Sequence, residues 1–121
     1  MPDSGQELKL ALFRSTPHAG KGGAGWVTGA AEHRLSASAL RWHWRVRDGV
    51  IAAARYEVRG CPDLIAAAEL AAVALEGQRA GAPLLDLREI ATQIAAPAEK
   101  LGKLFTVEDA MRAAAIQFSG S

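Results

Sequence analysis

Leu40-Arg41-Trp42-His43-Trp44-Arg45-Val46-Arg47-Asp48-Gly49-Val50-Ile51-Ala52-Ala53-Ala54-Arg55-Tyr56-Glu57-Val58-Arg59-Gly60-Cys61 decides the fold of this chain. Leu40, Trp42, Trp44 and Val46 alternate with Arg41, His43, Arg45 and Arg47, the period of two that a half-buried strand requires. Asp48-Gly49 is a two-residue turn suited to a tight hairpin. The return strand alternates again, with Ala54, Tyr56 and Val58 inward and Arg55, Glu57 and Arg59 outward. The stretch predicts an antiparallel meander with one apolar and one wet, basic face. It ends on Cys61, where Pro62-Asp63 opens an alanine-rich helix over Leu64–Glu76. A thiol at that junction meets the unpaired N–H groups and positive end of a helix, which favour thiolate over thiol. The bland alternative for Cys61 is a small residue filling a helix–sheet corner.

Upstream, Ser4-Gly5-Gln6-Glu7 fits a capping box with Ser4 as N-cap, opening a short helix that ends near Ser15-Thr16-Pro17. His18 to Gly25 is a loop with four glycines, and Gly20-Lys21-Gly22-Gly23 lacks the spacing and the Lys-Ser/Thr ending of a phosphate loop. Trp26 to Ala31 reads as a further strand, and Trp26 is expected to pack with the core tryptophans. Downstream, Asp86 can cap a helix over Leu87–Ala95, which Ala96-Pro97-Ala98 breaks. Thr106-Val107-Glu108-Asp109 is a start signal for a last helix lined by Val107, Met111, Ala114 and Phe118. Strands followed by helices predict an α+β fold, a three-stranded antiparallel sheet with helices on one face.

The 121 residues suit a single domain, 1–121, with a core that needs neither disulfides nor a structural metal. Cys61 is the only cysteine, which fits a reducing compartment. No apolar run approaches the ~20 residues of a membrane span, and Met1-Pro2-Asp3-Ser4 lacks the layout of a signal peptide. The expected location is the cytoplasm. Residues 1–60 carry nine Lys/Arg against five Asp/Glu, and residues 61–121 five against eight, so the front half is basic and the back half acidic.

Several strings in this order resemble the NifU-like N-terminal domain, the IscU-type iron–sulfur cluster scaffold. Arg47 to Tyr56 resembles that family's hairpin. Gly60-Cys61 with Ile65-Ala66-Ala67-Ala68-Glu69-Leu70 resembles its Gly-Cys and small-residue helix. Lys100-Leu101 and Glu108-Asp109-Ala110-Met111 resemble its last segment, and Pro17-His18-Ala19-Gly20 its Asn-Pro-Arg-Asn-Val-Gly start. The similarity spans roughly residues 5–118. It implies the family's scaffold fold and a role in cluster biogenesis.

Such scaffolds usually present three cysteines and an aspartate to a [2Fe–2S] cluster or zinc. Counting back from Cys61 puts the first cysteine on Ser36 and the aspartate on Ser38. Counting forward puts the His-Cys pair on Gly102 and Lys103. Of the usual set only Cys61 survives. Serine hydroxyls are hard ligands, an ammonium at Lys103 replaces a thiolate, and one cysteine cannot fill a four-ligand site. No cofactor is therefore expected within one protomer. A cluster or zinc would require two copies of Cys61 shared between subunits, with His33 as the best additional metal donor. The chaperone-recognition string Leu-Pro-Pro-Val-Lys survives only in part as Ala96-Pro97-Ala98-Glu99-Lys100, which weakens the case for a chaperone.

What the resemblance leaves is thiol chemistry: Cys61 accepts sulfur from a cysteine desulfurase or another assembly protein, and Lys103 is its electrostatic partner. The alternatives are an interaction or regulatory protein that keeps the fold without handling sulfur, and a nucleic-acid-binding adaptor using the basic sheet face. A solvated sheet surface explains the arginines most simply, and no exposed aromatic ladder alternates with them, which weighs against nucleic acid. His43 is expected to be solvated, and His18 has no evident role. Glu69, Glu76, Glu89, Glu99, Glu108 and Asp109 read as helix-surface and cap residues. With no Ser–His–acid context and no histidine beside Cys61 in sequence, the chain does not read as an enzyme. The sequence leaves the oligomeric state open.

Overall fold

The computed structural model describes residues 4–118. Helix α1 (Ser4–Arg14) precedes strands β1 (Val27–His33), β2 (Ser38–Arg47) and β3 (Val50–Arg59), and helices α2 (Pro62–Leu75), α3 (Leu87–Gln93) and α4 (Leu101–Ala115) follow. The three strands form one antiparallel sheet in the order β1-β2-β3. This is the α+β meander the alternating stretch predicts.

The hairpin turns on Asp48 and Gly49, both at positive φ (+54° and +76°), the backbone that a tight turn between right-twisted strands demands. Arg45 pairs with Ala53 but Val46 with Ile51, so Ala52 is an extra residue in β3. That bulge resets the alternation and turns Ile51, as well as Ala54 and Tyr56, toward the core.

Helices cover only the apolar face, α2 against β3 and α4 against β1 and β2. Trp42, Trp44, Tyr56, Leu64, Leu75, Leu104 and Val107 are fully buried between the layers. The Trp42 indole N–H donates to the Val107 carbonyl at 3.1 Å. Helix α4 lies directly on β1 at Gly29, where a Cβ would come within 2.2 Å of the Ala114 nitrogen. No helix among the described residues is long and apolar enough to cross a membrane.

Several local expectations are corrected. Ser4 is already helical rather than a cap before the helix. β1 runs on to His33, and α2 starts at Pro62, whose missing N–H is harmless in a first turn. Asp86 caps α3 as expected, accepting from the Glu89 N–H at 3.1 Å, but the helix stops at Gln93. The last helix starts at Leu101, not Thr106. A 3-10 turn over Ala98–Lys100 feeds straight into it, and Thr106 is buried mid-helix. Trp26 lies outside the core, against Gly22 and Gly23 and beside the Arg55 guanidinium, 5.8 Å from its ring centroid.

Candidate functional site

Helices α2 and α4 and the turn between β1 and β2 deliver the residues singled out from the sequence to one place. Cys61 is the N-cap of α2, half-buried, with extended backbone. Lys103, in the first turn of α4, points its Nζ at the Cys61 Sγ from 3.7 Å. The turn between β1 and β2 supplies the serines. Ala37 at φ +54° reverses the chain between them and brings the Ser36 and Ser38 hydroxyls within 2.8 Å. His33 Nδ1 meets the Ser36 hydroxyl at 2.7 Å. Ser38 tucks under the end of β3, where a Cβ on Gly60 would sit 3.3 Å from its Oγ and 2.6 Å from a Leu64 methyl. Only glycine at position 60 leaves room for both. Gly102 faces His33, whose Nε2 lies 4.0 Å from where a Cβ would be. Cys61, Lys103, Ser36, Ser38, His33 and Gly102 thus form one cluster.

Two further lysines stand beside it. Asp63, buried in the first turn of α2, is held by Lys100 at 2.7 Å and Lys9 at 2.8 Å, joining α1 and α4 to the helix that carries Cys61. Burial alone would push its carboxyl up, but hydrogen bonds from Lys100 and Lys9 prevail and hold it below the usual carboxylate range. The same bond to Asp63 raises Lys100. No signal in the sequence separated Asp63 from an ordinary first-turn acid.

Chemically, this donor set does not suit a cluster or a zinc ion. It offers one thiol, two hydroxyls, an imidazole already engaged with Ser36, and an ammonium with no lone pair to give. Among the described residues, no three His, Cys, Asp or Glu side chains are placed to hold a metal.

A second polar cluster, which the sequence did not announce, lies farther along α2. The carboxylate of Glu69 accepts from the His18 ring, from the His18 backbone N–H at 3.2 Å and from the Tyr56 hydroxyl at 2.9 Å. Glu76 takes the other ring nitrogen of His18 at 3.1 Å and the Ala54 N–H at 3.1 Å. Glu69 is 2% exposed, so the helix-surface reading of this residue is corrected. Burial pulls His18 down, yet the bonds to both glutamates outweigh it and raise its pKa. Burial, then the bond to Glu69, pushes the Tyr56 phenol far above its usual value. The available signal was a single acid beyond the first turn of a helix, Pro62–Leu75, that is otherwise apolar nearly all round. His43 is likewise corrected from solvated to buried. It sits on the central strand and is bonded to Glu57 at 2.8 Å.

The model of the NifU-like N-terminal domain family matches residues 12–121. This chain belongs to that family. Among solved structures, the N-terminal part of a nitrogen-fixing NifU-like protein from Brucella abortus superposes with a TM-score of 0.73 at 14% identity, covering 92% of this chain and 91% of its own. A candidate iron–sulfur cluster assembly scaffold for the SUF system from Fervidobacterium islandicum AW-1 gives 0.69 at 12% identity, covering 87% and 94%. At these identities the likeness concerns the fold. No curated protein matches the sequence.

Proposed function

We propose that this chain serves iron–sulfur cluster biogenesis as a sulfur-accepting, partner-binding member of its family, without a resident cluster. The observation that carries this is the pairing of the sole thiol, Cys61, with the Lys103 ammonium at 3.7 Å, in a pocket whose other family ligand positions hold Ser36, Ser38 and Gly102. Sulfur acceptance needs one nucleophile, whereas cluster assembly needs several ligands. In the step proposed, the Cys61 thiolate attacks the outer sulfur of a donor persulfide, R–S–SH. The donor S–S bond breaks, its electron pair leaves with the donor as a thiolate, and Cys61 becomes the persulfide Cys61–S–SH. Lys103 offers its positive charge to the thiolate, and the donor is a cysteine desulfurase.

A second reading, an interaction protein that keeps the fold without handling sulfur, draws on Leu35. It is 95% exposed on the turn that carries Ser36, a ready apolar anchor for a partner. Incubation with a cysteine desulfurase and cysteine, followed by intact-mass analysis, separates the two. A gain of one sulfur atom in wild type, absent in Cys61→Ala, supports sulfur acceptance. Desulfurase binding without sulfur gain, unchanged in Cys61→Ala but weakened in Leu35→Ser, supports the second reading.

A further inference from the structure

The strand register arranges the arginines of the uncovered sheet face in a way that the alternation alone does not reveal. Across β2 and β3, residues facing out pair as Ala39 with Arg59, Arg41 with Glu57, His43 with Arg55, Arg45 with Ala53 and Arg47 with Val50. Each of these five successive rungs carries a single arginine: Arg59, Arg41, Arg55, Arg45, then Arg47. All five are exposed. Successive outward rungs along a strand lie ~6.8 Å apart, so the array extends for roughly 27 Å and follows the twist of the sheet. No two of these arginines stand directly opposite one another, the arrangement in which like charges cost most.

None of the five is neutralised among the described residues. The salt-bridged arginines are Arg34, with Glu32, and Arg112, with Glu108. Glu57, the carboxylate within the array, is taken by His43. Arg59 donates only to the Ala37 carbonyl at 3.3 Å, and Arg55 lies over the ring of Trp26. A file of unpaired guanidiniums repels itself unless an anion is present.

We propose that this face binds single-stranded nucleic acid, with the sugar–phosphate backbone running along the arginine file and one phosphate held per rung. Guanidinium forks suit phosphate oxygens, and the face has arginine throughout where the cluster around Cys61 and Asp63 has lysine. At the Arg59–Arg41 end of the file lies an open depression of about 560 Å³, with Ala30, Ala39, Arg41, Arg59, Glu32 and Glu57 among its walls. Its small alanines leave room for a base, and the second carboxylate oxygens of Glu32 and Glu57, beyond those paired with Arg34 and His43, can accept from base amino groups. A regular file of one cation per rung suits a polymer with one negative charge per repeating unit, which is why nucleic acid is the occupant favoured. Arg planes provide stacking surface in place of an aromatic ladder. This inference is independent of the chemistry at Cys61.

The test is fluorescence anisotropy with a labelled 20-nucleotide single strand of mixed sequence, as RNA and as DNA, titrated at several salt concentrations. Five phosphate contacts predict a slope of log K against log salt of about −3.5, and Arg41→Gln/Arg45→Gln/Arg47→Gln should reduce it to about −1.4. Circular dichroism of that variant should be unchanged, since all three side chains are exposed, and Cys61→Ala should bind like wild type. Absence of binding to either strand at low salt overturns the proposal. So does binding that the triple variant retains, or displacement by polyglutamate as effective, charge for charge, as displacement by unlabelled strand.

Discussion

Helix α2 carries two polar clusters that obey opposite rules. Toward its C-terminal part, Glu69, Glu76, His18 and Tyr56 close on one another, and both glutamates also take backbone N–H groups. At its N-terminus the Lys103 ammonium has, among the described residues, only a thiol as acceptor, and the Ser36 hydroxyl bridges Ser38 and His33. The difference teaches how to separate structure from function on one element. A closed network spends its polar capacity on the fold, here by clamping the segment around His18 to the edge of β3, where the Tyr56 N–H donates to the His18 carbonyl at 3.1 Å. An open cluster keeps capacity for something that arrives.

The largest effect should come from breaking the closed network. Glu69→Ala leaves the Tyr56 hydroxyl buried without its acceptor and His18 without its main partner, and should cost about 3–5 kcal/mol in urea denaturation. Cys61→Ala, at the open cluster, should stay within about 1 kcal/mol of wild type. If the two variants lose stability equally, the distinction between the clusters fails.

Acid and base should then attack the molecule at different places. His18 is raised in the folded state, so its contribution is complete below its ordinary value of 6.5 and fades as pH climbs through the higher folded value. Asp63 is depressed, so its contribution is complete above its ordinary value of 3.8 and fades as pH falls through the lower folded value. Thermal melting between pH 2 and 9 should show a plateau with two shoulders. His18→Gln should flatten the alkaline shoulder and leave the acidic one, and Asp63→Asn the reverse. A single shoulder that both variants move would mean the two clusters are coupled rather than separate.

Lys103→Met sharpens the comparison from the open side. Melting temperature should change little, while sulfur uptake by Cys61 should slow about tenfold, or ~1.4 kcal/mol of barrier. Lys103→Arg should restore most of it. Unchanged uptake in Lys103→Met would reduce the lysine to a packing residue.

How much of this was legible before the structure follows from range. The β2–β3 hairpin was readable because its signals, the alternation and Asp48-Gly49, are local and repeated. The convergence of Ser36, Ser38, Cys61 and Lys103 was reachable only through family spacing, since Lys103 lies 42 residues from Cys61. The His18–Glu69 clamp spans 51 residues and has no motif. The start of α4 was misplaced because Thr106 imitates a cap, whereas the helix is launched from the turn after Pro97, with no capping side chain to betray it. The rungs of arginine depended on register, which alternation within each strand leaves undetermined.

The finest test asks whether the open cluster differs from a metal site only in its atoms. Ser36→Cys/Lys103→Cys would place two more thiols around Cys61 with His33 alongside, a Cys3His set of the kind zinc accepts. Both positions are half-buried and the replacements small, so stability in metal-free buffer should move by no more than about 1 kcal/mol. The double variant should then bind zinc in equal ratio by chelator competition and gain melting temperature from it, as any ligand of the native state confers. Wild type, with one thiol, should do neither. If the double variant also takes no zinc, the backbone around Ala37 and Gly102 holds these positions too far apart for a shared ion. The pocket would then have diverged in shape as well as in donors.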